Sequence, residues 1–86
     1  MNWSVQIKRS ALKELARITK PERLRIVATI DELALNPHRG SALKGELTGL
    51  RRIRVGSYRI IYEIRESEFV VLVIAAGHRR DVYRKT

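Results

Sequence analysis

The chain has 86 residues, no cysteine, and 18 lysines and arginines against 9 aspartates and glutamates, for a formal net charge of +9. That length gives a single domain, residues 1–86, and the missing cysteines exclude disulfides, thiolate nucleophiles and cysteine-ligated zinc. The charge points to a polyanionic partner such as nucleic acid, a ribosome or an acidic protein. Lysine and arginine number nine in each part of the chain, 1–49 and 50–86, so composition alone does not locate that partner.

The start, Met1-Asn2-Trp3-Ser4, has no charged region followed by an apolar stretch, so no signal peptide is expected. The longest apolar run, Phe69 to Ala76, is far short of the ~20 residues of a membrane helix. The expected location is the cytoplasm, with no membrane contact. Trp3, Val5 and Ile7 alternate with polar residues and predict a half-buried strand. Ser10 is expected to cap a helix running to about Ile18, with Leu12, Leu15 and Ala16 inward. Thr19-Lys20-Pro21-Glu22 has the form of a capping box that opens a second helix. Its apolar stripe is Ile26, Val27, Ile30, Leu33 and Ala34. Asn36-Pro37-His38-Arg39-Gly40 ends that helix, and residues 41–49 read as a loop.

From Leu50 the pattern becomes β. Gly56-Ser57 suits a two-residue type II′ turn, because glycine accepts the positive φ of its first central position. Such a turn sets Val55 opposite Tyr58, Arg54 opposite Arg59, and Ile53 opposite Ile60. Alternation then puts Ile53, Val55, Tyr58, Ile60, Tyr62 and Ile64 on one face. Arg52, Arg54, Arg59, Ile61, Glu63 and Arg65 fall on the other. Glu66-Ser67 turns the chain again into Phe69–Ala76, apolar on both faces as in a central strand. The expected fold is α+β, in the order β-α-α-β-β-β, with two helices on one face of a mainly antiparallel sheet.

The open face of the hairpin carries the chemistry. Arg54 and Arg59 directly opposed are unfavourable, by about 0.8 kcal/mol at ~5.5 Å in water. A sheet meant only to be soluble would mix its charges there. Three guanidiniums on one face suit the bidentate capture of phosphate oxygens. The central strand is expected to deliver His78, Arg79 and Arg80 close to the same face. The carboxylates are scattered, so a two-metal nuclease is not expected, and His38 and His78 lack companions for zinc. No metal or cofactor is expected. A ribonuclease without metal needs a base for the 2′-hydroxyl, cations for the developing phosphorane charge, and an acid for the departing oxygen. Tyr83 and His78 are the candidates for proton transfer.

Two segments bear a family resemblance. Leu47-Thr48-Gly49-Leu50-Arg51-Arg52-Ile53-Arg54-Val55-Gly56-Ser57-Tyr58-Arg59-Ile60-Ile61-Tyr62 resembles the middle of RelE-type toxins. Val73-Ile74-Ala75-Ala76-Gly77-His78-Arg79-Arg80-Asp81-Val82-Tyr83-Arg84 resembles their C-terminal motif. The resemblance to the RelE/ParE toxin superfamily implies a ribosome-dependent mRNA endonuclease, the toxin of a type II toxin–antitoxin system. It also implies inactivation by a cognate acidic antitoxin in a hetero-oligomer. By the same resemblance Arg52 and Arg54 bind and orient RNA, Arg59 stabilises the scissile phosphate, Arg79 acts as acid or phosphate ligand, and Tyr83 acts as general base. His78 and Arg80, at the end of the central strand, are further RNA-binding candidates, with His78 the alternative base and Arg80 the rival to Arg79. Two alternatives stand beside it: a ParE-like inhibitor of DNA gyrase, and a non-catalytic basic module that binds RNA or the ribosome.

Overall fold

A computed structural model describes residues 3–78. The elements are β1 (Ser4–Ile7), α1 (Arg9–Ala16), α2 (Lys20–Leu33), β2 (Ser41–Ala42), β3 (Arg51–Val55), β4 (Tyr58–Arg65) and β5 (Val70–His78). One mixed sheet has the order β1-β5-β4-β3-β2. Among the described strands only β1 and β5 run parallel; a parallel neighbour needs a long crossover, which the two helices and the hairpin provide.

The hairpin forms as its turn residues dictate. Gly56 takes φ +59° and Ser57 does not enter positive φ, as a type II′ turn requires. The register follows: Val55 pairs with Tyr58, Arg54 with Arg59, and Ile53 with Ile60. Ile60, Tyr62, Val55 and, on β5, Val71, Val73 and Ala76 pack against Ala11, Leu15, Ile18, Ile26, Ile30 and Leu33. Both helices therefore cover one face of the sheet.

Several local expectations change. Helix α1 begins at Arg9, with Lys8 at the capping position, so Ser10 lies inside the helix rather than capping it. Its inward residues are Ala11 and Leu15, while Leu12 and Ala16 face solvent. Small Ala11 lets the short helix sit close to the sheet. Thr19 does occupy the capping position of α2, with Pro21 in the first turn, but its side chain makes no capping bond. Val27 of the predicted stripe is exposed. The segment read as loop holds the two-residue strand β2, which pairs antiparallel with Arg51 and Arg52 of β3.

Strand β5 carries an irregularity that matters for function. Ile61 pairs with Ala75 but Tyr62 pairs with Val73, leaving Ile74 as an extra residue without a partner on β4. Such a bulge shifts the alternation by one. Before it, Val71 and Val73 face the helices; after it, Ala76 does so, and Ala75 turns to the opposite side beside Ile61. Where β1 has ended, α1 takes over the β5 edge, and the Ala76 backbone N–H donates to Glu14 Oε1 at 3.3 Å.

Candidate functional site

The open face of β3 and β4 is assembled from the hairpin upward. Arg54 and Arg59 stand opposite each other in register, on the side away from the helices. Arg52 sits two residues along β3, opposite Ile61. Their surroundings differ: Arg54 is exposed, Arg52 half-buried, and Arg59 only 7% exposed. On its other side Arg59 pairs with Gly77 of β5. A neighbour without a side chain leaves room for a long guanidinium to lie along the sheet. A guanidinium confined in this way is oriented in advance, unlike one on an open surface.

The floor beneath these arginines is apolar, which the sequence pattern does not announce. Ile61 and Ala75 are buried on this face and packed by Leu43 and Leu50. Dry walls strengthen charge interactions nearby, because fewer waters screen them. The covering segment reaches this face by wrapping around the β3 edge. On the helix side, buried Tyr62 donates its hydroxyl proton to the Pro37 carbonyl (2.8 Å) and accepts from the Gly40 N–H (3.0 Å). Arg51, in register with Tyr62, donates from Nη2 to the His38 carbonyl at 3.0 Å and to the Gly40 carbonyl. The chain then pairs as β2 and crosses over, with the Leu43 N–H donating to the Leu50 carbonyl. At Gly40 no side chain fits: a Cβ would lie 2.4 Å from the Arg52 carbonyl oxygen and 2.6 Å from the Tyr62 hydroxyl.

Arg52, Arg54 and Arg59 are thus brought together, as alternation predicts. His78 is not. The bulge at Ile74 puts His78 in register with Tyr58, and the two rings meet edge to face with centroids 6.0 Å apart. Since Tyr58 packs against the helix-side core, His78 lies on the opposite side of the sheet from Arg54 and Arg59. Without the extra residue, strict alternation would have put it on the open face. Arg79, Arg80 and Tyr83 lie outside the described residues. Arg51 and Tyr62, which hold the wall of the face, were not among the sequence candidates; their bonds span 11 to 25 residues and leave no local signal.

Among the described residues, no three His, Asp or Glu side chains gather as a metal site. No helix among them is long and apolar enough to cross a membrane. A separate concavity at the β5 edge is lined by Lys8, Ser10, Lys13, Glu14 and Arg17 with Ile74 and Ala75, so further cations flank the end of the sheet.

Comparison with known proteins gives a consistent result. The family described as the ParE toxin of type II toxin–antitoxin systems matches residues 5–83. The toxin RelG of Mycobacterium tuberculosis is 31% identical over 99% of this chain and 100% of its own. The toxin RelE of the same organism is 33% identical over 95% of this chain and 87% of its own. Among solved structures, the toxin–antitoxin complex RelBE2 of Mycobacterium tuberculosis contains a similar chain. Its TM-score is 0.86 at 26% identity, covering 92% of this chain and 93% of that one.

Proposed function

This chain belongs to the RelE/ParE superfamily of type II toxin–antitoxin toxins, and from that premise we propose that it cuts messenger RNA on the ribosome. The observation that carries the reading is the register pair Arg54–Arg59, joined by Arg52 over an apolar floor. Like charges opposed across a sheet are unfavourable in the free protein and become favourable when a phosphate lies between them.

In this reading Arg52 and Arg54 hold the RNA backbone on either side of the reacting phosphate. Arg59, already oriented, meets the negative charge that grows on the phosphoryl oxygens. Tyr83, acting as its phenolate, takes the proton of the 2′-hydroxyl, whose oxygen attacks the adjacent phosphorus. The bond to the 5′ oxygen breaks, and Arg79 supplies a proton to that leaving oxygen; where Arg79 instead ligates the phosphate, water supplies it. The products are a 2′,3′-cyclic phosphate and a free 5′-hydroxyl. No step requires a metal ion. Arg80 adds a backbone contact, and His78, on the helix face, is left out of the RNA track. The reaction takes place in the cytoplasm with the translating ribosome.

The partner in the resting state is a cognate antitoxin. The likeness to a toxin chain solved with its antitoxin supports this. An antitoxin matched to a +9 chain is acidic, and its affinity falls with salt wherever exposed charges contribute. The matching family is described by its ParE toxins, which favours one alternative, ParE-like inhibition of DNA gyrase. Incubation with translating ribosomes, followed by mapping of 5′ ends, separates the readings. Cuts in the A-site codon with 5′-hydroxyl ends are expected. Intact mRNA, with double-strand breaks in DNA when gyrase is supplied, would support the alternative and overturn the proposal.

A further inference from the structure

The end of the sheet away from the Gly56 turn has the opposite chemistry. Strand β4 ends at Arg65, a short 3₁₀ turn follows over Glu66–Glu68, and the chain enters β5 through Phe69. Phe69 adopts φ +53°, ψ +45°, the left-handed region that glycine or asparagine fills at least cost. Its ring is 54% exposed and meets Trp3 edge to face, with centroids 5.4 Å apart. The Trp3 N–H donates to the carbonyl of Ala34, and the next residue, Leu35, is 69% exposed. That bond brings exposed Leu35 to the same end of the molecule as the Phe69–Trp3 pair.

Carboxylates surround it. Glu66 and Glu68 come from the turn just before Phe69, and Asp31 and Glu32 from the last turn of α2. These are four of the nine acidic residues of the chain. Among the described residues Arg65 and Arg39 are cations at this end, and both are already paired, Arg65 with Glu63 and Glu68, Arg39 with Glu32. Helix α2 has no basic residue in its last turn, so two carboxylates sit where the helix dipole disfavours negative charge. An aromatic residue in a left-handed turn and acids at a helix C-terminus are each unfavourable for folding. Finding both around one exposed aromatic group suggests retention for recognition.

We infer that this end is a docking surface for a second partner: a lysine- or arginine-bearing peptide segment that inserts an apolar side chain between Phe69, Trp3 and Leu35. The cations of such a segment are met by Glu66, Glu68 and Asp31. This partner is opposite in charge to anything the hairpin face attracts. The two surfaces lie at opposite ends of the sheet and can be occupied together.

Trp3 is the single tryptophan of the chain, so its emission reports directly on this surface. The probe is a tryptophan-free peptide of alternating arginine and leucine, titrated into the full chain without RNA, with a glutamate–leucine peptide as its counterpart. A saturable shift of Trp3 emission with the arginine peptide is expected, weakened several-fold by added salt. Phe69→Asn, which suits the left-handed turn and removes the ring, is expected to weaken binding at least tenfold. Glu66→Lys combined with Glu68→Lys should do the same. Circular dichroism of each variant confirms that it is folded. Absence of a saturable shift, equal binding of the glutamate peptide, or full binding by folded Phe69→Asn would each overturn the proposal. A shift that depends on protein concentration alone would also overturn it, by assigning the surface to a second copy of this chain.

Discussion

The two turns of the β3–β4–β5 meander meet the same geometrical demand in opposite ways. At the β3–β4 turn, Gly56 takes a left-handed φ that costs it nothing, beside Glu22 and Arg25 of α2. At the β4–β5 turn, Phe69 takes nearly the same φ at a steric cost, and its ring stays exposed. The first turn serves register: it brings Arg54 opposite Arg59 and builds a cationic face. The second presents a side chain. The difference teaches where to look for function in a small domain. Where the cheapest residue sits in a turn, the function is in the strands it aligns; where a costly one sits, the residue itself is the candidate.

The comparison breaks first, and with the largest effect, at Arg59. Arg59→Lys keeps a charge but loses the planar fork, and should lower cleavage on ribosomes by on the order of 10²–10³. Ribosome binding should change much less, because in the proposed mechanism Arg59 meets charge that develops only in the transition state. Tyr83→Phe removes one hydroxyl and, in a general-base role, should cost about 10²-fold or more in single-turnover rate. Near-normal activity in a folded Tyr83→Phe variant would remove the tyrosine from the mechanism.

Next comes the wall of the cationic face. Gly40→Ala forces a methyl group into the Arg52 carbonyl and the Tyr62 hydroxyl, and should destabilise the domain by roughly 1–3 kcal/mol. Tyr62→Phe leaves the Pro37 carbonyl and the Gly40 N–H without their partner, at about 1–3 kcal/mol by denaturant unfolding. If either variant unfolds like the parent, the 37–42 segment is not pinned as described.

The smallest effects belong to the exposed arginines. Arg52→Ala and Arg54→Ala should each weaken ribosome binding and reduce the slope of log affinity against log salt by roughly 0.7–0.9. An unchanged slope would mean that neither side chain touches a phosphate.

Much of this was legible in the sequence, for identifiable reasons. Gly56-Ser57 admits few turn geometries, and a two-residue turn fixes every pair beyond it, so Val55–Tyr58 and Arg54–Arg59 could be written down directly. The bulge could not. Val70 to Ala76 is apolar at every position, so no polar residue marks where alternation slips at Ile74. That single unmarked residue reversed the expected side of His78. The inward face of α1 is ambiguous in the sequence for a related reason: in eight residues, Ala11 with Leu15 and Leu12 with Ala16 are both acceptable faces. Only the packing against β5 chooses. Strand β2 has two residues and no pattern of its own, and its pairing depends on Tyr62 and Arg51 holding the segment before it.

The central claim is that messenger RNA lies on the face of β3 and β4 that carries Arg54 and Arg59. A photoreactive amino acid placed at Arg54 in one variant and at His78 in another tests it directly, since both positions are exposed but lie on opposite sides of the sheet. With ribosomes stalled on a defined mRNA, position 54 should crosslink to the RNA and position 78 should not. Crosslinking from position 78 without any from position 54 would contradict the account.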